Sequence, residues 1–251
     1  MRYISDRDIP DIRQTERILC VQPHYDDNDI GAGGTFASLS DRGVKIYYLT
    51  VTDDLVGVID TNISDQQASQ LLKREQVSAG EIIGVHEQRW LGYPDAGDFN
   101  YFEMRREIIR SIRQVRPDFL ATCDPWLPYE AHQDHTRTGL AVSEASYLHA
   151  MPRLKTDPDT DSQYQPYDIK GVIFYLSHRP NVIVDIDATR QRKHRALDCY
   201  KAQFTPESLQ KLHEQIELDE QKYAEGEQFE FGEAFKLVRP EDLHINIHTW
   251  K

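Results

Sequence analysis

The sequence predicts an α/β protein of Rossmann-like type, a mostly parallel sheet with helices on both faces. Two observations predict it. Short β-branched runs alternate with longer amphipathic segments, and two polar clusters rich in His and Asp each follow a run, as expected where ligands bind beyond the carboxyl ends of parallel strands.

The elements follow in order. Residues 18–22 read as the first strand, and 31–41 as a helix of small and apolar residues closed by Gly43, a natural C-cap. Residues 45–52 read as the second strand; 64–84 form a helix opened by the cap signal Ser64-Asp65. A third strand covers 88–92, and a helix over 102–116 stops before Pro117. Strands at 118–122, 172–176 and 182–186 complete the pattern. Residues 155–167, rich in Asp and Pro, read as an exposed excursion, and 206–226 as a polar helix. A length of 251 residues suits one domain over 1–251, with a decorated C-terminal third from about residue 150.

A net charge of −13 disfavours nucleic acid and anionic membranes as partners, because phosphates would meet a repulsive surface. No run reaches the roughly 18 apolar residues of a membrane span, and residues 1–17 are too polar for a signal peptide, so the expected compartment is the cytoplasm. Cys20, Cys123 and Cys199 are odd in number and widely spaced, which suggests neither a disulfide framework nor a thiolate metal site. Cys20 and Cys123 fall in apolar strands and are expected to be buried thiols.

The first polar cluster is His24-Tyr25-Asp26-Asp27-Asn28-Asp29, followed by Gly31-Ala32-Gly33-Gly34. An imidazole and three carboxylates at a strand end repel one another unless paired, so a bound cation explains them economically. A solvated acidic loop capping a helix that begins near Gly31 explains them equally well. The second cluster is His132-Gln133-Asp134-His135, whose histidines, three apart at a helix start, face one way. Surface histidines are the ordinary alternative. Convergence of both clusters at one end of the sheet favours chemistry. The glycines could also suggest a phosphate-cradling turn in a non-catalytic binder, but they lack the GxGxxG spacing, and the preceding acids would repel a pyrophosphate.

The strings Pro23-His24-Tyr25-Asp26-Asp27 with Ile30 to Thr35, and His132-Gln133-Asp134-His135-Thr136-Arg137-Thr138-Gly139, resemble the two signature motifs of the PIG-L/LmbE-like de-N-acetylase family. Asp124-Pro125-Trp126-Leu127-Pro128-Tyr129-Glu130, Trp90-Leu91-Gly92-Tyr93-Pro94-Asp95 and Ser177-His178-Arg179-Pro180-Asn181 resemble its diacetylchitobiose deacetylase branch. The resemblance implies a zinc-dependent hydrolase that removes the acetyl group from an N-acetylglucosamine-type small molecule. His24, Asp27 and His135 would bind Zn2+, or another divalent metal, with Asp26 as general base and His132 assisting the developing charge or the leaving amine. His132 and Tyr129 are the candidate oxyanion donors, and Asp134 is either an acceptor that orients an imidazole or the N-cap of its helix. Asp95 matches a position that contacts substrate hydroxyls, although Pro94-Asp95-Ala96-Gly97 also reads as a turn. Trp126 and Tyr129 offer an apolar wall for a sugar or plugs for the core.

Departures from the family pattern are Tyr25, Asn28 and the family's sugar-binding arginine, whose spacing lands on Leu72 with Lys73 and Arg74 adjacent. Arg74 is therefore the candidate replacement. His178 and His244 match further positions, His244 as a residue near a neighbouring subunit's site, or each is simply structural. The resemblance also implies a homo-oligomer, a trimer or hexamer. A metal-dependent amidase acting on a different amide would use the same residues.

Overall fold

The computed structural model describes residues 9–244 and, before them, the short strand β1 (Arg2–Tyr3). The remaining elements are β2 (Arg17–Gln22), α1 (Asp27–Asp41), β3 (Lys45–Thr52), α2 (Asp65–Ile83), β4 (Glu87–Tyr93), α3 (Tyr101–Val115), β5 (Phe119–Cys123) and α4 (Gln133–Leu148). They continue with α5 (Pro158–Gln163), β6 (Gly171–Tyr175), β7 (Val182–Asp185), α6 (Arg190–Leu197), α7 (Pro206–Tyr223), β8 (Gly232–Val238) and α8 (Pro240–His244).

Local sequence accounts for the boundaries. Ser64 accepts from the Gln67 N–H while the Gln67 side chain accepts from the Ser64 N–H, a complete capping box, and Gly84 ends the same helix in the left-handed region at φ 93°. Asn100 caps α3, and Thr205 caps α7 ahead of Pro206 at the first helical position.

The strands form one sheet in the order β1-β7-β8-β6-β5-β2-β3-β4. The five from β6 to β4 run parallel, while β8 and β1 are antiparallel to their neighbours. Alternate residues of β2 feed opposite cores: Ile18 and Cys20 pack toward α1, α2 and α6, whereas Leu19 and Val21 pack toward α3 and α4. From β2 the chain moves outward through β3 to β4, then returns to place β5 on the other flank of β2. The order therefore reverses at β2, and the crevice beyond the carboxyl ends of β2 and β5 is the natural ligand site.

The mostly parallel α/β fold is as expected; three details are not. Helix α1 begins at Asp27 rather than Gly31, so the acidic string is no solvated loop: residues 23–29 are all buried and its acids enter the first turn. The glycines of that string lie inside α1 and pack on protein. A Cβ at Gly31 would sit 2.4 Å from Tyr175 Cδ2, and one at Gly34 2.9 Å from Ile186 Cγ2. They permit close helix–sheet approach and cradle no phosphate. Strand β8 is a further difference, because Gly232-Glu233-Ala234-Phe235-Lys236 shows weak alternation; its Glu233 is buried, where it pairs with Lys193 and accepts from the Gly34 and Thr35 N–H groups. Helix α6 hides in the same way behind a charged sequence, since Lys193 is 2% exposed and also pairs with Glu220.

The excursion at 155–167 is largely exposed as expected, yet it is tied down by the buried Arg113. That guanidinium donates to the carbonyls of His149, Met151 and Leu154 and pairs with Asp161. His149 lies beside it with Nδ1 2.8 Å from the Tyr164 hydroxyl. No helix among the described residues is long and apolar enough to cross a membrane.

Two outcomes follow. Gly31→Ala gains about 1 kcal/mol of helix propensity but meets the buried Tyr175 ring, and overpacking costs about 1–3 kcal/mol; the urea midpoint is expected to fall. Burial, then Arg113 and Arg116, push the His149 pKa from 6.5 down to about 4. The folded protein then binds fewer protons than the unfolded chain within that window, so this group's contribution is intact above pH 6.5 and lost as pH falls toward about 4. His149→Gln should flatten that segment of a stability–pH profile measured by urea unfolding, and an unchanged slope would contradict the assignment.

Candidate active site

The turn after β2 is fixed by its neighbours. Thr52 donates to the Pro23 carbonyl through N–H (3.0 Å) and hydroxyl (2.8 Å), and the Tyr25 N–H donates to Asp54. Gln22 accepts from the Asn28 N–H at 2.8 Å and donates to Thr50, which Gln76 also contacts while accepting from the Trp90 indole. This buried amide network is the floor under the first turn of α1. Two of the departures from the family pattern belong to it: Tyr25 and Asn28 are both buried, the Tyr25 carbonyl accepting from the Gln22 amide and the Asn28 N–H donating to it.

Beyond β5, His132 is the N-cap of α4, its Nδ1 accepting from the Asp134 N–H at 3.3 Å. Asp134 is therefore not the cap. Its carboxylate instead accepts from the Ala96 N–H at 2.8 Å, tying α4 to the turn after β4. In that turn the Asp95 N–H donates to Asp53 and the Asp95 carboxylate accepts from the Val56 N–H. Asp95 is thus both a turn residue and a cleft carboxylate.

The two clusters meet. His24 Nδ1 lies 3.3 Å from His135 Nε2 and 3.3 Å from Asp27 Oδ2, and His135 Nε2 lies 3.4 Å from Asp27 Oδ1. Ligand atoms held about 2.0–2.1 Å from a tetrahedral zinc ion stand about 3.3 Å apart, so these three residues fit a shared cation. On the other edge of the His24 ring, Nε2 lies 3.3 Å from Asp95 Oδ1 and 3.8 Å from Asp134 Oδ2. The His132 ring sits edge-on to His24, with centroids 4.6 Å apart. A cleft of about 360 Å³, lined by Ala96, Asp98, His132, Asp134 and Arg137, opens beside them.

The electrostatics of this pocket favour positive charge. Burial opposes an imidazolium at His24, but the Asp134, Asp27 and Asp95 carboxylates outweigh it and hold the proton strongly. Asp27 is drawn down to about 2, burial being overcome by His24 and His135. Asp26 goes the other way, raised by burial and by the charges of Asp27 and Asp54. It occupies the N-cap position of α1, yet its carboxylate caps nothing. His132 is pushed toward the neutral ring by burial, His24 and His135. Of these carboxylates Asp27 lies on the Nδ1 edge of His24, where it would help to hold a divalent cation, while Asp95 and Asp134 face Nε2.

Not every expected residue converges. Tyr129 is fully exposed at φ 68°, and Trp126 is half-exposed, edge-on to Phe174. Arg74 turns along its own exposed helix face to the Gln70 carbonyl, Leu72 is core, and Lys73 lies over Trp90. His244 stacks on Tyr147 near the C-terminal end of α4, the opposite end from His132. Three residues given no role by the sequence do join the site: Glu130, 3.3 Å from His135 Nδ1, Asp54, and Gln203, which donates to Asp54. Glu130 stands two residues before His132, and that adjacency was the available signal; Gln203 carried none.

A Rossmann-like sheet whose switch point gathers histidines and several carboxylates defines a candidate metal-binding site, and comparison identifies the family. Residues 19–146 match the family model PIG-L, GlcNAc-PI de-N-acetylase, and the chain belongs to that family. It is 34% identical over 223 residues to the diacetylchitobiose deacetylase of Thermococcus kodakarensis, covering 85% of this chain and 83% of that protein. The structure of N,N'-diacetylchitobiose deacetylase from Pyrococcus horikoshii, bound to an inhibitor, superposes with a TM-score of 0.87 at 31% identity, covering 94% of this chain and 89% of that one. A probable N-acetyl-alpha-D-glucosaminyl L-malate deacetylase of Bacillus anthracis is 26% identical, covering 77% of this chain and 84% of that one.

Proposed function

We propose that this protein is a zinc-dependent N-deacetylase that hydrolyses the acetamide of a small N-acetylglucosamine-type saccharide or glycoconjugate, releasing acetate and a free amine. The observation that carries the reading is the meeting of His24, Asp27 and His135: the two ring nitrogens stand 3.3 Å apart, and Asp27 presents Oδ2 3.3 Å from His24 Nδ1 and Oδ1 3.4 Å from His135 Nε2. The deacetylase relatives support the acetamide and the amino sugar.

Two imidazoles and a carboxylate would hold the ion. When bound, it supplies a Lewis acid and makes a water acidic enough to ionise near neutral pH. The remaining steps fall to the chain. Asp26, adjacent to Asp27 in sequence and unused as a cap, accepts the proton of the attacking water. Its raised proton affinity suits a base, and a cation beside Asp27 moderates it. His132 spends Nδ1 on the Asp134 N–H, which leaves Nε2 as its protonated nitrogen. From there it donates a hydrogen bond to the oxyanion, and the departing nitrogen takes the proton that Asp26 removed as the C–N bond breaks. Asp95 accepts from hydroxyls of the sugar.

Purified protein is expected to bind one Zn2+ per chain by metal analysis and to release acetate and amine in equal amounts from N-acetylglucosamine compounds. Release of a larger acid, with no acetate from any of them, would overturn the acetyl specificity. Asp26→Asn should keep the metal and lower kcat by about 10²–10⁴-fold, whereas His135→Ala should lose both metal and activity. Undiminished turnover by Asp26→Asn would remove that residue as base.

A further inference from the structure

Resting on that reading, we propose that Glu130 is the positioning residue of the metal site, the carboxylate that sets the tautomer and the aim of the ligand His135.

Glu130 occupies the loop between β5 and α4 with its side chain 19% exposed, and its two oxygens do different things. Oε1 accepts from the His132 N–H at 2.7 Å, holding the residue that caps α4. Oε2 lies 3.3 Å from His135 Nδ1. The His135 ring has only one other nitrogen, and Nε2 faces His24 Nδ1 at 3.3 Å and Asp27 Oδ1 at 3.4 Å. A ring that offers a lone pair at Nε2 must carry its hydrogen on Nδ1, and the group placed to accept that hydrogen is Glu130.

The second restraint on the same histidine acts through the backbone: the His135 carbonyl accepts from Cys123 Sγ at 3.2 Å, which fixes the main chain without choosing a tautomer. In His24 the nitrogen turned to the cation is Nδ1, and the opposite Nε2 faces Asp95 and Asp134 in the same way. One carboxylate thus fixes both histidines of the second motif, His135 by its ring and His132 by its backbone. Because the oxygens divide the tasks, substitution separates them. A glutamine keeps one oxygen for the His132 N–H but presents an amide NH2 to His135 Nδ1, where a donor meets a donor. An alanine loses both contacts.

The test is the affinity of the purified, chelator-stripped full chain for Zn2+, measured by competition with a chromophoric chelator, alongside thermal unfolding of the stripped protein. Glu130→Gln and Glu130→Ala should each bind Zn2+ about 10–100-fold more weakly than the wild type, with Glu130→Gln unfolding at the wild-type temperature. A purely structural brace for the loop would leave Glu130→Gln binding as tightly as the wild type, and that result overturns the proposal. Long-range 1H–15N spectra of the zinc-loaded wild type give a second readout that needs no variant. They should show His135 with Nδ1 protonated, and a hydrogen on Nε2 instead would contradict it. A wild type that takes up no Zn2+ overturns the metal reading itself, and this role with it, which distinguishes that failure from tight binding by the variants.

Discussion

The rest of the structure depends on keeping carboxylates close together in a buried place. Asp26, Asp27 and Asp54 are each at most 6% exposed, and the side chains of Asp95 and Asp134 are at most 5% exposed. All five surround His24. Buried like charges at such density destabilise a fold unless something positive compensates them. Here the compensation is concentrated on one imidazole, reached from both edges by carboxylates. The fold accepts the arrangement because the strand order reverses at β2, which leaves a crevice that no helix covers.

Holding the acids apart from one another requires cross-ties, and the loops supply them. Asp53 accepts from the Asp95 N–H, Asp95 from the Val56 N–H, and Asp134 from the Ala96 N–H. The loops after β3 and β4 and the start of α4 are therefore fastened by the same carboxylates that line the cleft. Each of these bonds ties a rim carboxylate to the main chain of a neighbouring loop. Beneath it the chain of Gln22, Thr50, Gln76 and Trp90 does the same with neutral groups. Leu72, at the spacing where the resemblance places a sugar-binding arginine, is part of the core.

Much of this was legible in the sequence because local signals agreed with the global fold. The strands at β2, β3 and β5 are apolar on both faces, as strands covered by helices must be, and the Ser64 box and Pro117 mark their helices plainly. His24, Asp26, Asp27, His132 and His135 announced themselves as clustered polar groups at strand ends. What stayed hidden was set by tertiary partners. Strand β8 and helix α6 read as polar because Glu233 and Lys193 are buried as a pair, and no periodicity reveals a pair 40 residues apart. The start of α1 at Asp27 is hidden because an acidic string resembles a loop until its burial is known. Arg74 and Tyr129 lie beside motif residues in the sequence, but side-chain direction decides what reaches a cleft, and both point elsewhere.

The proposed chemistry rests on the identity of the atoms around one cation. X-ray absorption at the zinc edge, on protein loaded with a single equivalent, measures them without reference to activity. It should report a shell of nitrogen and oxygen at about 2.0–2.1 Å with outer scattering from two imidazoles and no sulfur. A sulfur shell near 2.3 Å, or an ion surrounded only by water, would contradict it.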